Sequence, residues 1–588
     1  MNSESSTDFK VSKIVSLFFE ILGPEKDFYV LAMIYGVGIS LLSLATPISV
    51  QMLINTVANT AMAAPLIVLS VTLFILLMTS GLLNALRVHL MEIFGRRFYA
   101  RFVTEIALRA IYARNPFFDD HGRGPLFNRY FDIIIVQKMM PALLVGGFTL
   151  LLQAGVGFIL VSFYHPLFLA FNTVIILMLW AVWLIWGKSA IRASLDLSHK
   201  KHLSAAWLEG LASSNGFFKT DRHIAHALNQ TDAVTGDYID QHRKQFRLYF
   251  AQMISFFVIY AGASAVLLGL GGWLVIQGQL SLGQLVAAEL VLSAVFFGIS
   301  QLGAYMVYFY DLCAAVEELS LFLDVELEDP KGDKVIDWPD SSLAFVDVRG
   351  GARNAYARFD FRIESGASIL AVASSHGVQR LMTNLLKRHD EPSGGYIALG
   401  GVDILETSTT ALHREIVLLD RPTIIEMTIR DYLELSGDRV APSKMLEVLK
   451  VVGLEPVIAR FEKGLDTKLS VTGWPFSITE TMLLKLAAAI LAEPRILILN
   501  QLYDLVSEEM LFRALQYLQE DKSKTVIYFS RRKRDMGCDS FLYIGADHQK
   551  MFSKYSAFQE YADHAVNAGA SGQLPPHETP SISLVSET

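Results

Sequence analysis

The residues of this chain that come closest to a recognisable chemistry lie in a short loop, Ala371–Leu381, between an apolar strand and a helix. Such a loop holds phosphate when glycines let backbone N–H groups converge, a lysine reaches the phosphate oxygens and a Ser or Thr hydroxyl binds Mg²⁺. The corresponding positions are Ala373, His376, Val378, Gln379, Arg380 and Leu381. Valine resists glycine's backbone conformations, glutamine is uncharged, and a guanidinium cannot coordinate Mg²⁺. The loop is therefore predicted to grip phosphate poorly.

The composition of the chain divides it into two parts. Of the 588 residues, 52% are hydrophobic and only 18% are charged, whereas a soluble protein carries about 25% charged residues. The deficit lies in the first half, which contains long apolar runs, and residues beyond about 325 have the composition of a globular domain. The net charge of −8 gives no indication of a nucleic-acid partner, and the two distant cysteines predict neither a disulfide nor a metal site.

Six stretches of the first half are long enough to cross a bilayer, which takes about 20 apolar residues. They are residues 28–50, 65–87, 141–164, 166–187, 249–277 and 283–308. Two of the connecting loops are long and basic, and the second starts at Lys188. The first contains Arg87, Arg96, Arg97, Arg101, Arg109, Arg114, Arg123, Arg129 and Lys138. By the positive-inside rule, these loops, both termini and the C-terminal domain are predicted to be cytoplasmic.

The two basic loops have helical periodicity and are predicted to continue the spanning helices into the cytosol. Each has a break where the chain could turn back, at Ala113–Pro125 and at Ser213–Lys219. Within the spans, Glu289 is a candidate functional carboxylate, with a place near the interface or against another subunit as the alternative. The residues Trp180, Trp183, Trp186, Tyr305, Tyr308 and Tyr310 are interpreted as interfacial aromatics.

The second half alternates buried strands with helices, which predicts a mostly parallel α/β sheet. An antiparallel pair is predicted over 343–365, and one helical stretch over 408–453. Strands are predicted at 369–373, 394–401, 495–499 and 525–529, and helices at 379–389 and 481–493. The tail from Asp563 to Thr588 is rich in Ser, Pro, Gly and Ala and is predicted to be disordered.

The order of these elements resembles a half-transporter of the ABC exporter family. The matching pieces are Pro392–Ile404, Thr428–Asp431, Ala487–Pro494 and Ile496–Leu499, and Pro116-Phe-Phe-Asp119 is most similar to the type I secretion branch. The resemblance implies an exporter-type α-helical domain of six spans followed by a P-loop NTPase-like α/β cassette. The predicted domains are a cytosolic N-terminal segment (1–27), a transmembrane domain (28–320), a degenerate ATP-binding cassette (340–562) and the tail (563–588).

The departures from the family fall on its chemical positions. Where the resemblance implies a Walker B aspartate for Mg²⁺ and a glutamate to activate water, the chain has Asn500 and Gln501, which keep the shape but lose the charge and the base. Arg531 stands at the switch histidine, residues 420–423 of the Q-loop lack glutamine, and Ala352 stands at the adenine-stacking aromatic. The signature motif reads Phe476, Ser477, Ile478, Thr479 and Glu480. We therefore expect no intact catalytic residue, no metal site, and ATP or Mg²⁺ binding that is weak at most.

The resemblance also implies partners. ABC cassettes work in pairs, so the chain is expected to form a homodimer or heterodimer with another half-transporter in the inner or plasma membrane, with a larger secretion assembly as a further possibility. Three functions stay open: a transport subunit whose partner hydrolyses ATP, a non-transporting membrane scaffold or regulator, and an active ATPase exporter with an atypical site. The transported substrate is not readable from the residues.

Overall fold

The computed structural model describes residues 11–60, 63–114, 124–328, 338–352, 355–437 and 440–571. The chain forms two compact units, Met1–Leu327 and Glu328–Thr588. Of the positions considered above, Pro116–Asp119 and everything after Ser571 fall outside the described residues, and so does the side chain of Ala352.

The first unit is helical. Its α-helices are α1 (Val11–Leu22), α2 (Lys26–Leu42), α3 (Ala45–Thr60), α4 (Ala63–Ile111), α5 (Asp132–Ala142), α6 (Phe148–Ser162), α7 (Pro166–Ser213), α8 (Asp221–Ile276) and α9 (Leu282–Leu323). Short 3₁₀ turns lie at Gly23–Glu25, Gly124–Phe131 and Asn215–Phe217, and a π-helical turn at Leu143–Gly147 joins α5 to α6.

Six helical stretches among the described residues are long and apolar enough to cross a membrane, which confirms the six predicted spans. They are Val15–Ile54, Leu66–Ile111, Leu126–Ser162, Pro166–Ser213, Asp221–Ile276 and Leu282–Leu323. At 37 to 56 residues they far exceed the roughly 20 that a bilayer requires, so the spanning helices continue beyond it. The predicted break at Ser213–Lys219 is confirmed, because α7 ends at Ser213 and α8 begins at Asp221.

Ten strands lie among the described residues of the second unit. They are β1 (Leu343–Ala352), β2 (Ala355–Ile363), β3 (Ser368–Ala373), β4 (Gly394–Leu399), β5 (Val402–Asp403), β6 (Ile416–Leu419), β7 (Ile496–Leu499), β8 (Thr525–Phe529), β9 (Ser540–Ile544) and β10 (Gln549–Phe552). Its helices are α10 (His376–Leu386), α11 (Thr409–Glu415), α12 (Ile429–Glu434), α13 (Pro442–Val451), α14 (Glu455–Ile458), α15 (Ile478–Leu491), α16 (Glu508–Gln519) and α17 (Tyr555–Ser571).

The strands form two sheets. The larger has the order β10-β9-β3-β8-β7-β6, and β9, β3, β8, β7 and β6 run parallel in it. The strands β7 and β8 are buried along their whole length, as expected of parallel strands covered on both faces. The smaller sheet, β2-β1-β4-β5, is antiparallel. The parallel arrangement brings the carboxyl ends of β3, β7 and β8 to one edge.

Two predictions about this unit were wrong. The single helical stretch over 408–453 is interrupted by β6, because Ile416–Leu419 is a short run of branched apolar residues that pairs with β7. Such a run fits a helix or a strand equally well by its pattern alone. The predicted disorder is also wrong over residues 563–571, where α17 continues to Ser571, because Phe558 and Tyr561 pack against the core and extend the helix.

Candidate nucleotide site and membrane cavity

Residues following β3, β7 and β8 meet around one small cavity in the second unit. The cavity has a volume of about 10 Å³. It is lined by Ala371, Val372, Ala373, Ser375, His376, Gln379, Gln501, Phe529, Ser530 and Arg531. The structure therefore brings together the Walker A, Walker B and switch positions that the resemblance indicated. The cavity itself is at the lower limit of what holds one water molecule, about 10–15 Å³.

The N-terminus of α10 is capped by its own chain. The Oγ of Ser375 accepts a hydrogen bond from the N–H of Val378 at 3.3 Å, and the Ser375 carbonyl accepts from the N–H of Gln379 at 3.2 Å. The N–H of Ser374 donates to the carbonyl of Ile544 at 2.9 Å. In a phosphate-binding loop, amides of this kind point at the ligand. Here these three donate to protein oxygens.

The side chains of Val378, Gln379 and Leu381 turn into the protein. They are 4%, 4% and 2% exposed. Ala373 is buried at the end of β3, whereas His376 is exposed. Of the two Walker B positions, Asn500 is buried and its N–H donates to the Leu419 carbonyl at 3.0 Å, while Gln501 reaches the cavity.

A carboxylate that the sequence analysis did not single out, Asp504, ties the Walker B segment to the switch segment. It accepts hydrogen bonds from the Tyr528 hydroxyl, from the Ser530 Oγ at 2.7 Å and from the Arg531 N–H at 3.0 Å. The Arg532 guanidinium donates to the carbonyl of Asp504 at 2.6 Å. The backbone N–H of Arg531, at the switch position, thus donates to a carboxylate of the same chain.

The segment at the Q-loop position is organised by Lys485 of α15. Its Nζ donates to the carbonyls of Arg421 and Thr423 at 2.6 and 3.2 Å. Burial raises the pKa of the neighbouring Asp420 carboxyl, and the nearby Lys485 only partly offsets the shift. Burial also disfavours the charged form of Lys485 and therefore lowers the pKa of its ammonium group. Asp420 is therefore a carboxylate in an environment that disfavours its charge.

The signature positions form a capping box at the start of α15. Ser477 Oγ accepts from the Glu480 N–H at 3.3 Å, and the Glu480 carboxylate accepts from the Ser477 N–H at 2.7 Å. Phe476 is buried below them, while Ile478 is 58% exposed and the Thr479 hydroxyl lies 3.2 Å from Ser477 Oγ. The helix end that would face an anion is consequently occupied by a carboxylate of the same chain.

The first unit contains a larger cavity of about 390 Å³ between its spanning helices. Its lining is mostly apolar, with a few amide and hydroxyl groups. The lining residues are Ser43, Leu44, Pro47, Val145, Gly146, Thr149, Leu150, Gln153, Leu290, Val291, Ala294, Val295, Phe297, Gly298, Gln301 and Tyr305. A cavity of this size and polarity is typical of a small-molecule or lipid-chain site.

The wall of the membrane cavity is held by Arg87, which the sequence analysis had assigned to a cytosolic loop. The residue is 2% exposed, and α4 continues past it without a break. Its guanidinium donates to the Thr149 hydroxyl, to Asn84 Oδ1 at 2.9 Å and to the Val145 carbonyl at 3.0 Å. Thr149 and Val145 both line the cavity, so Arg87 supports the cavity from behind.

The carboxylate of Glu289, the candidate within the spans, is only partly hydrogen-bonded. Glu289 Oε1 accepts from the Ser293 hydroxyl at 2.8 Å, and its buried Oε2 has no hydrogen-bond partner among the described residues.

The interpretation of the aromatic residues as membrane-interface residues does not hold for two of the tyrosines. Tyr310 is fully buried and stacks on Trp183 with the ring centroids 6.2 Å apart, and Tyr305 lines the cavity.

Two of the features that were missed carry local signals in the sequence. Ser375 precedes the first residue of α10, as an N-cap serine does, and Ser477-x-x-Glu480 is the pattern of a capping box. Asp504 and Arg87 carry no comparable signal, because apart from Asn84, which is close to Arg87 in the sequence, the partners named above lie 24 or more residues away along the chain.

A helical domain of six spans followed by this α/β cassette defines a class: the chain has the architecture of an ABC exporter half-transporter. A family model described as ABC transporter transmembrane region matches residues 29–205. The solved structure of a bacterial Atm1-family ABC exporter with ATP bound is similar in fold, with a TM-score of 0.77, covering 93% of this chain and 99% of that one at 16% identity.

Two curated proteins are similar along most of the chain. The ABC multidrug transporter mdr2 of Aspergillus fumigatus is 24% identical over 559 residues, which is 90% of this chain and 69% of that protein. The exotoxin translocation ATP-binding protein PaxB of Pasteurella aerogenes is 21% identical over 544 residues, which is 90% of this chain and 76% of PaxB.

Proposed function

We propose that this chain is the membrane subunit of an ABC exporter-like transport complex and that its own cassette does not hydrolyse ATP. A partner half-transporter supplies the hydrolysis. The two cytosolic extensions, both termini and the cassette lie in the cytoplasm under this proposal, which follows the distribution of Lys and Arg between the loops.

The observation that carries the proposal is the combination of groups around the small cavity. A Mg²⁺-triphosphate site needs converging backbone N–H groups, a cation for the phosphates and carboxylate or hydroxyl oxygens for the metal. The positions that would supply them hold Val378, Gln379, Asn500 and Gln501, and Ser375 caps the helix end. The residues present therefore do not fit the ligand.

The signature positions limit what a partner could gain from this chain. In ABC dimers, each ATP lies between the Walker motifs of one cassette and the signature of the other. Here Glu480 occupies the helix end, which places a negative charge where a phosphate would approach. Hydrolysis in a heterodimer accordingly depends on the partner's residues, with Ser477 as the one retained signature side chain.

The membrane cavity favours a transport subunit over a scaffold. A scaffold needs only its outer surfaces, whereas a transporter needs an internal space that can admit a solute. The cavity of about 390 Å³, with Gln153, Gln301 and Tyr305 among its apolar lining, provides such a space. The type I secretion subtype remains part of the proposal and is supported by Pro116–Asp119 and by the similarity to PaxB.

The proposal is tested by purifying the full chain from native membranes in a mild detergent with whatever half-transporter accompanies it. The chain alone and the complex are reconstituted separately, and Mg-ATP hydrolysis is measured for both. We expect hydrolysis by the complex and none by the chain alone. Hydrolysis by the chain alone that is abolished by Asn500→Ala would overturn the proposal in favour of an atypical ATPase.

A further inference from the structure

Three metal-ligating side chains lie together in the second unit, away from the residues that line the small cavity. They are Glu328, His389, which follows α10, and His413 in α11. One ligand atom of each lies within 4.8 Å of the other two, and His389 Nδ1 is 3.9 Å from Glu328 Oε1. The centroids of the two imidazole rings are 5.5 Å apart. The His389 side chain is 9% exposed and that of Glu328 21% exposed.

The hydrogen bonding of His413 suits a metal ligand. Its Nε2 lies 2.9 Å from the Lys387 carbonyl oxygen, which can only accept, so Nε2 carries the proton and Nδ1 keeps its lone pair. Histidine ligands in metal sites typically donate their other N–H to a carbonyl or carboxylate in this way.

Two cations border the cluster, and their donors are directed at backbone oxygens. Lys387 Nζ donates to the Ile416 carbonyl at 2.7 Å, and Arg388 Nη1 donates to the Thr407 carbonyl at 2.7 Å. Both positive charges reduce the affinity for a metal cation, and the carboxylate of Glu328 opposes them. We therefore expect a site of moderate affinity in which Glu328 is indispensable.

We propose that Glu328, His389 and His413 bind a divalent transition-metal ion, with Zn²⁺ as the best fit. Two imidazoles and one carboxylate, with water as the fourth ligand, are a set that Zn²⁺ accepts in tetrahedral geometry at about 2.0–2.2 Å from each atom. Ligand atoms around such an ion are separated by roughly 3.3 Å, so the cluster contracts slightly on binding. The inference is independent of whether the chain binds or hydrolyses ATP.

A bound ion would connect residues that are distant in the sequence. It would join Glu328, at the beginning of the second unit, to the chain after α10 and to α11. Metal ligation that closes such long loops stabilises the folded state, because the unfolded chain lacks the assembled ligands. The proposed role is therefore a structural clip at the end of α10 opposite Ser375.

The test uses the purified full chain in nanodiscs after dialysis against EDTA. Zn²⁺ is added, excess ion is removed, and bound zinc is measured by elemental analysis and by competition with a chromophoric chelator. Co²⁺ replacing Zn²⁺ gives visible absorption bands that report tetrahedral ligation. The variants are His413→Ala, Glu328→Gln and the control His226→Ala, since His226 is an exposed histidine of α8.

We expect about one zinc per chain for wild type and for His226→Ala, with an affinity at least about tenfold lower for His413→Ala and Glu328→Gln. Thermal unfolding of the wild type should shift upward on adding Zn²⁺, and that of Glu328→Gln should not. Glu328→Gln keeps the side-chain shape at a partly exposed position, so it separates ligand loss from misfolding. Zinc content below a few tenths per chain in wild type, or equal affinity in wild type and Glu328→Gln, would refute the site.

Discussion

At the scale of single residues, the amides Asn500 and Gln501 carry the proposal that the cassette does not hydrolyse ATP. Each has the shape of the corresponding acid, with an amide nitrogen in place of a carboxylate oxygen. The strand β7 that leads into them is fully buried, and the Asn500 N–H pairs with the Leu419 carbonyl. The backbone therefore does not depend on the charge that would bind Mg²⁺.

The network around Asp504 gives the first prediction. Replacing Asp504 with Ala leaves the Tyr528 and Ser530 hydroxyls without their acceptor in a buried region, where each unsatisfied group costs about 1–3 kcal/mol. We expect Asp504→Ala to lower the free energy of unfolding by at least about 2 kcal/mol. Thermal or denaturant unfolding of the full chain measures this.

The matched control for that prediction is Tyr528→Phe, which removes one donor and leaves no unpaired hydroxyl. It should cost less than Asp504→Ala, and the double variant should be less destabilised than the sum of the two single variants, because the residues are in direct contact. Additive effects would show that Asp504 and Tyr528 do not act together.

A second prediction concerns the pH dependence at Asp420. Burial raises its pKa in the folded state above the unfolded value, so the ionised carboxylate destabilises the fold above the unfolded pKa, and this cost disappears as the pH falls below it. Asp420→Asn should therefore raise the unfolding temperature at pH 7. The difference from wild type should vanish below about pH 4. A destabilised Asp420→Asn at pH 7 would mean that the attraction of Lys485 outweighs burial.

At the scale of secondary-structure elements, two helix N-termini are satisfied from within the chain. Ser375 caps α10, and the pair Ser477 and Glu480 caps α15. Intramolecular capping stabilises both helices and satisfies backbone N–H groups in their first turns.

The π-helical turn Leu143–Gly147, beside the membrane cavity, gives a third prediction. A Cβ placed on Gly146 would overlap the Tyr305 hydroxyl and ring, so Gly146→Ala must displace Tyr305 from the cavity wall. Overpacking of this kind costs about 1–3 kcal/mol. A Cβ placed on Gly155, nearby in α6, would meet nothing within 4 Å beyond its own helix backbone, so Gly155→Ala is the matched control. Gly146→Ala should lower the unfolding temperature in detergent, and Gly155→Ala should not; equal effects would argue against the Tyr305 contact.

The sequence predicts elements well where one physical signal dominates. The six spans follow from apolar length, and the strands β3, β7 and β8 follow from short, largely apolar runs. The short strand β6 was predicted as helix because four apolar residues fit both periods, and pairing with β7 decides between them. The burial of Arg87 could not be predicted, because it involves contacts with α6 and with the π turn before it, which no local pattern reveals.

At the scale of the whole molecule, the two units differ in the volumes of their cavities. The membrane unit contains a cavity of about 390 Å³, whereas the space at the cassette's nucleotide position measures about 10 Å³. The convergence of the Walker and switch positions at one sheet edge could be predicted from the parallel strand order. The hydrogen bonds of Asp504 beside that space could not, because their donors lie 24 to 27 residues away along the chain. Under the proposed function, a transport complex built from this chain takes its energy from another subunit.

The most direct test of this account is a calorimetric titration of Mg-ATP into the full chain in nanodiscs, beside the variant Val378→Gly/Gln379→Lys/Arg380→Ser. The chain lacks several charge-assisted contacts to Mg-ATP, worth ~1.5–3 kcal/mol each. We therefore expect a wild-type Kd for Mg-ATP no tighter than about 1 mM. The variant should recover measurable binding, without hydrolysis unless Asn500→Asp and Gln501→Glu are added. Wild-type binding in the low micromolar range would contradict the account.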